Sequence, residues 1–308
     1  MVNLKKSKKI LILSGGISQE KDISILSANH VYETIKNKLT TKILDVSDNA
    51  QELLTKIQKY RPDVIFNCLH GNFGEDGQIQ SILNYLKIPY THSGVLTSAI
   101  LMNKIISKKL FKSLGISTPQ SVNENNIKSQ KIKFPLIIKP INGGSSYGLI
   151  KINNRESLNK YLNNKKIKKS RMLIEEFIEG RELTVGILEN KICGLMEIKY
   201  NEELYDYNNK YINIAEHIIN PKLPRKIEKE LIENSLKVHS SLNCNCISRI
   251  DFRYNEKANK IYLLEVNTQP GLTKNSLLPE MAKEKGISFL KLCKILLKNS
   301  ICEIWSLS

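Results

Sequence analysis

The sequence contains no apolar run near the length of about 20 residues that a membrane-spanning helix needs. It also has no C-x-x-C pair and no G-x-x-x-x-G-K-[ST] phosphate loop. The first absence argues against a membrane partner. The opening stretch MVNLKKSKKILILSGG is basic, but its apolar segment is too short for a signal peptide, so the cytoplasm is the expected compartment. The second absence bears on Cys68, Cys193, Cys244, Cys246, Cys293 and Cys302, which are scattered and read as reduced, structural thiols, neither a zinc knot nor a disulfide framework. The third means that any nucleotide must be held by something other than a Walker motif. Arginine is scarce too, with seven among 47 basic residues.

What is present is a chain of 308 residues, 41% hydrophobic, long enough for about two or three domains with cores of their own. The net charge of +17 would suit a nucleic-acid binder if it were clustered. Lysine is spread instead over nearly every polar segment, alongside abundant isoleucine and asparagine, as in a proteome-wide compositional bias. No nucleic-acid partner is expected.

The first third alternates apolar runs and helical patterns (KILILSGG, ISILSANHVYETI, TKILDV, AQELLTKIQKY, DVIFNCLHG, GQIQSILNYLKI). That rhythm predicts a parallel α/β unit with functional groups at the carboxyl ends of its strands, where Gly15-Gly16 and His70-Gly71 fall. A helix is expected from about Leu96 to Leu114, closed by Gly115 and Pro119. Strands then dominate (LIIKP, YGLIKI, MLIEEFI, ELTVGIL, ICGLMEI). A helix returns near Arg225 to Leu242, where Ile227, Leu231, Val238 and Leu242 recur at helical spacing. CISRIDFRY and KIYLLEVN precede a helical C-terminus.

The last two strands carry the first chemical signal. Paired around the turn NEKANK, they bring Asp251 toward Glu265, and Glu265 shares a face with Asn267 because strand side chains repeat every two residues. Three oxygen donors together suit Mg²⁺ bound with a nucleotide. A salt bridge from Arg249 or Arg253 to the same acids is the competing reading. In KPINGGSSYGLIKI, Lys139 to Ile152, two glycines and two hydroxyls suit a lid over phosphates, though a Gly/Ser turn between strands also makes an ordinary hairpin. Glu175 and Glu182, at strand ends in LIEEFIEGRELTV, could accept from an adenine amino group or ribose hydroxyls, or be simply solvated. In the first third, Asp22 and Asp76 read as helix caps. Glu20 lies inside a turn where a carboxylate could meet a substrate ammonium. His70 reads as a buried hydrogen-bonding residue at the same end of the sheet.

Together these segments resemble the D-alanine–D-alanine ligase family of the ATP-grasp superfamily. The resemblance covers nearly the whole chain and keeps the order GGISQE, LHGNFGEDG, IPYTHSGVLTSAILMNK, IIKPINGGSSYG, LIEEFIEGREL, YDYNNKY, RIDF and LLEVNTQPGLTKNSLLP. It implies an α/β ATP-grasp fold in three domains. These are 1–97 (N-terminal, substrate side), 98–180 (central) and 181–308 (C-terminal, metal-binding), with ATP gripped between the last two. The activity implied is ATP-dependent joining of two D-alanines through an acyl phosphate, for peptidoglycan precursors. Implied cofactors are ATP and two Mg²⁺, with Mn²⁺ as a substitute, and a homodimer is the implied assembly.

The resemblance also implies roles for residues. Lys104, Lys139, Ser146 and Lys210 would touch phosphates, and Glu175 and Glu182 adenine and ribose. Asp251, Glu265 and Asn267 would hold metal. Glu20 would take the first D-alanine's ammonium, with His70 nearby, while Ser276 and Leu277 contact the second D-alanine. Arg249 and the Gly271 backbone would stabilise the tetrahedral oxyanion. YDYNNKY would be a closing loop, with Tyr211 bonded to Ser145 and through it to Glu20, an arrangement associated with D-alanine over D-lactate as second substrate. Three positions depart from the family pattern: Asn103 (usually Asp), Gly143 (frequently an acid) and His92 (commonly Gly). A ligase joining other amino or hydroxy acids by the same activation is the alternative.

Overall fold

The computed structural model describes residues 8–122, 127, 132–144, 148–164, 172–200 and 215–303. Three sheets organise them. The first, in order β2-β1-β3, consists of β1 (Lys9–Gly15), β2 (Thr40–Val46) and β3 (Val64–Asn67), all parallel as the alternating pattern requires. Ile10 to Leu13 are buried because both faces of this sheet are covered. One cover is α1 (Lys21–Ile35), which turns Ile23, Ala28, Val31 and Ile35 inward. Gly15-Gly16 and His70-Gly71 follow the carboxyl ends of β1 and β3, where a parallel sheet presents ligands. Tyr90 extends the sheet beside Ile65 and exchanges backbone bonds with Ile301, so the end of the described chain returns to its first sheet.

The helix expected over 96–114 is two: α4 (Val95–Met102) and α5 (Lys104–Ser113). Asn103 takes extended backbone (φ −87°, ψ 102°), and its side-chain oxygen accepts from the Ile105 and Ile106 amides at 3.1 Å each. An Asn that satisfies orphan donors this way favours a cap over helix interior. The cap fixes Lys104 as the first residue of α5. Asn and Asp cap about equally well, so this departure from the family pattern keeps the local geometry.

The second sheet, β5-β4-β6, is antiparallel and comprises β4 (Leu136–Pro140), β5 (Ile150–Ile152) and β6 (Met172–Glu176). Its core joins Leu136, Ile138 and Ile174 to Leu158 of α6 (Arg155–Asn163). The third sheet, β11-β10-β7-β8-β9, holds β7 (Arg181–Leu188), β8 (Lys191–Lys199), β9 (Glu216–Ile219), β10 (Ile247–Asn255) and β11 (Lys260–Asn267). Against one face packs α7 (Arg225–Ser241) through Ile227, Leu231 and Val238. Each such fully buried aliphatic contributes about 1.5–3 kcal/mol of transfer free energy.

The helical C-terminus is α8 (Leu277–Glu284) and α9 (Phe289–Lys298). Met281 of α8 sits over Gly194, where an added Cβ would come within 2.8 Å of the Met281 Cβ. Only a glycine lets the helix this close, and the closeness fixes the loop that precedes it. Cys68, Cys193, Cys244, Cys246 and Cys293 are buried and all six thiols are free. Burial pushes Cys244, Cys246 and Cys293 up to about 12, so they are packing residues rather than nucleophiles.

Candidate active site

The hairpin expected from the sequence is present. In β10 and β11, Arg249 lies opposite Asn267 and Asp251 opposite Glu265, with a bulge after Asp251. Across β7, Asp251 faces Thr184 and Arg253 faces Glu182. Opposed residues of an antiparallel pair point the same way, so one sheet face carries all these polar groups. That face forms a wall of a cleft of about 950 Å³.

Asp251 is not a bare ligand. Arg249 grips it with two bonds, Nε to Oδ1 at 2.9 Å and Nη2 to Oδ2 at 2.7 Å, and Thr184 Oγ1 donates to Oδ1 at 2.6 Å. The competing salt-bridge reading is therefore realised at Asp251, while Glu265 and Asn267 line the cleft beside it. Asn267 Oδ1 accepts the Gln269 amide at 3.0 Å, which occupies one of two lone pairs. Among the described residues no cluster of three His, Cys, Asp or Glu could hold a metal. The expected site is instead two carboxylates and an amide, a hard oxygen set that suits Mg²⁺ completed by water and phosphate.

Two lysines line the same cleft. Lys104 Nζ donates to the Gly143 carbonyl at 2.5 Å and lies 3.5 Å from Glu265 Oε2. Burial holds its ammonium below the ordinary lysine range despite the attraction of Glu265. Gly143, another departure, thus serves through its carbonyl. Lys139 Nζ pairs with Glu175 Oε1 at 2.6 Å. Burial alone would raise the Glu175 carboxyl, but Lys139 and Lys108 outweigh it and hold it below the usual carboxylate range. Glu182 accepts from Tyr200 Oη at 2.9 Å and lies 3.2 Å from Arg253 Nη2. Both expected nucleotide carboxylates thus face cations, Lys139 and Lys108 for Glu175 and Arg253 for Glu182. Lys108 and Tyr200 were not singled out from the sequence.

At the mouth nearest the first sheet, Glu20 stands at the N-terminus of α1 without capping it, and its side chain lines the cleft. An added Cβ on Gly71 would lie 2.8 Å from Glu20 Oε2, and one on Gly144 3.3 Å, so both glycines make room for this carboxylate. His70 is buried, with Nδ1 2.8 Å from Glu75 Oε1 and Nε2 3.4 Å from Ser27 Oγ, and it also faces the cleft. Burial would lower its pKa, yet Glu75 reverses this and the ring is more basic than usual. Asp76 takes the Phe73 and Gln78 amides just before α3 (Gln78–Tyr85), whose cap position is Gly77. Asp22 sits within the first turn of α1, where its charge meets the helix dipole, and Glu20 holds the cap position expected of it.

His92 has φ +74°, a conformation that explains a common glycine there and that His enters more readily than most residues. Burial pushes it down to about 3, so it stays neutral. Gly271 and Ser276 adjoin, because a Cβ on Gly271 would be 2.9 Å from Ser276 Oγ. Ser276 Oγ accepts the Thr273 amide at 3.0 Å, and Leu277 starts α8 at the cleft's edge. Ser145, Ser146, Lys210 and Tyr211 lie outside the described residues. Gln269, unremarked in the sequence, ties this loop to the first sheet by accepting from Asn67 Nδ2 at 3.0 Å and donating to the Leu69 carbonyl.

Family models for the D-ala D-ala ligase C-terminus and N-terminus match residues 109–298 and 44–93. The chain belongs to the D-alanine–D-alanine ligase family. A ligase of that name from Wolbachia pipientis wMel is 43% identical over 302 residues, covering 95% of this chain and 94% of its own. One from Pelagibacter ubique is 44% identical over 308 residues, with 96% and 98% covered. The crystal structure of the Bacillus anthracis ligase complexed with ATP superposes with a TM-score of 0.80 at 30% identity, covering 95% of this chain and 97% of that one. The ATP-grasp fold expected of the family is thus the fold found.

Proposed function

We propose that the protein joins two D-alanines into D-alanyl-D-alanine, converting ATP to ADP and phosphate, and so supplies peptidoglycan synthesis. The observation that carries this reading is the polar sheet face of Arg249, Asp251, Glu265 and Asn267, which shares one cleft with Lys104, Lys139 and Glu20.

Glu20 is assigned the ammonium of the first D-alanine, which aims its carboxylate into the cleft. A carboxylate oxygen attacks the γ-phosphorus of ATP, the bond to ADP breaks, and an acyl phosphate forms. Lys104 and Lys139 offset the phosphate charge, which is the main demand of phosphoryl transfer. An arriving polyanion opposes the burial that lowers the basicity of Lys104 and favours its cationic form. The second D-alanine's amine then attacks the acyl carbon, seated by the loop of Ser276 and Leu277. Arg249, held flat by Asp251, and the Gly271 amide meet the oxyanion, and phosphate departs. Asp251, Glu265 and Asn267 would hold Mg²⁺, which when bound screens the phosphate charges. Ser145, Ser146, Lys210 and Tyr211 keep the roles expected of them as part of this reading.

The division 1–97, 98–180 and 181–308, a homodimeric working unit, two metal ions and a cytoplasmic location belong to the same proposal. The family supports the first three. Free buried thiols suit a reducing compartment, and no helix among the described residues is long and apolar enough to cross a membrane. The test is phosphate release with ATP, Mg²⁺ and single amino acids. Release that depends on D-alanine, and not on L-alanine or D-lactate alone, supports the reading; release driven by L-amino acids overturns it.

A further inference from the structure

Lys108 is a buried cation with no place in the mechanism above. The inward face of α5 carries Lys104, Ser107, Lys108 and Phe111, so Lys104 and Lys108 sit one turn apart on one stripe. Lys104 lines the cleft and Lys108 does not. The Lys108 side chain is 4% exposed, its ammonium donates to the Pro119 carbonyl at 2.7 Å, and it contacts Glu175 Oε2. The other oxygen of Glu175 holds Lys139, which is 12% exposed and does line the cleft. One carboxylate thus lies between a cation facing the nucleotide space and a cation sealed behind it.

We propose that Lys108 is a positioning residue for ATP: it remains the counter-ion of Glu175 when Lys139 turns to the nucleotide's phosphates. Removing the sole partner of a buried carboxylate is strongly unfavourable. Without Lys108, Glu175 would hold Lys139 back or take up a proton, and either response weakens nucleotide binding. With Lys108 in place, Glu175 stays ionised as an acceptor and Lys139 is available. The Pro119 bond anchors the sealed ammonium to the segment running beside β6, where Ser121 bridges to Glu175. Lys104 and Lys112 add further positive charge on α5, and neither makes the bond to Glu175 that Lys108 makes.

The inference rests on the ligase reading, and its test separates the two. Wild-type protein, Lys108→Met, Lys108→Arg, Glu175→Gln and the Lys108→Met/Glu175→Gln pair are assayed for steady-state kinetics and for displacement of a fluorescent nucleotide by ATP. Loss of a charge-assisted bond is expected to raise the KM for ATP on the order of tenfold in Lys108→Met. In that variant kcat should move less, and the acid limb of kcat/KM for ATP should shift to higher pH. Lys108→Arg should restore much of the loss. The double variant should match Glu175→Gln alone, since Lys108 then has no carboxylate to serve. Effects that simply add, or a Lys108→Met protein with wild-type ATP affinity and an unmoved acid limb, overturn the proposal. Should Lys108→Met fail to fold, Lys108→Gln takes its place in every comparison. If the wild type turns over no D-alanine, the ligase reading fails, and the displacement assay alone still decides the role of Lys108.

Discussion

Asp251→Asn separates the arginine clamp that Asp251 makes from the cation-ligand role proposed for it. The Asp251 and Arg249 side chains are 10% and 11% exposed, so their bidentate pair is buried. Breaking such a pair by removing one partner costs about 3–5 kcal/mol, because the other charge is left without compensation. Asn retains an oxygen for Arg249 and for Thr184, which places the loss at the lower end, about 3 kcal/mol. At an unfolding entropy of about 2.1 cal/mol/K per residue, a chain of 308 residues shifts by about 1.5 °C per kcal/mol, so the melting temperature should fall by roughly 5 °C. Differential scanning calorimetry without nucleotide reads this directly. In the same variant the Mg²⁺ concentration for half-maximal turnover should rise, since one carboxylate is gone from the proposed Mg²⁺ site. A melting temperature within about 2 °C of wild type, together with an unaltered Mg²⁺ requirement, would refute both halves of the reasoning.

Two further outcomes concern stability. The folded pKa of His70 is raised by Glu75, so the stabilisation from this pair, present while Glu75 is ionised, is lost as pH rises through the folded value. The stability gap between wild type and Glu75→Gln should therefore be larger at pH 6 than at pH 9 in urea titrations, and an equal gap contradicts the assignment. Glu303→Ala removes the carboxylate that accepts the Val95 amide at 3.0 Å at the start of α4. The expected cost is about 1 kcal/mol, a typical cap value, read as a shift in thermal midpoint; an unshifted midpoint contradicts that capping role.

Much of this site was legible because its chemistry follows a short period. Asp251, Glu265 and Asn267 could be placed together from the two-residue repeat of strands joined by a plain turn, and the register confirms it. Glu20 was legible as an acid inside a glycine-containing turn, whereas the approach of Gly71 and Gly144 to it appears only in the fold. What stayed hidden depends on direction or distance. The helix α5 carries Lys104, Lys108, Lys109 and Lys112, and composition does not say which ammonium turns inward to Glu175. Asn103 interrupts an apolar run of helical character, so one helix was expected where a side-chain cap makes two. Gln269 and Glu303 act across 202 and 208 residues, far beyond any local pattern. The Arg249 clamp on Asp251 was open as an alternative, and only the folded geometry shows that clamp and cleft coexist.

On the proposed reading, this cleft activates a D-alanine carboxylate as an acyl phosphate before joining it to a second D-alanine. D-Alanine carrying ¹⁸O in its carboxylate, incubated with the protein, ATP and Mg²⁺, tests it by mass spectrometry of both products. One ¹⁸O in each released phosphate, matched by one molecule of D-alanyl-D-alanine, is expected. Phosphate without label, or labelled phosphate without dipeptide, would contradict it.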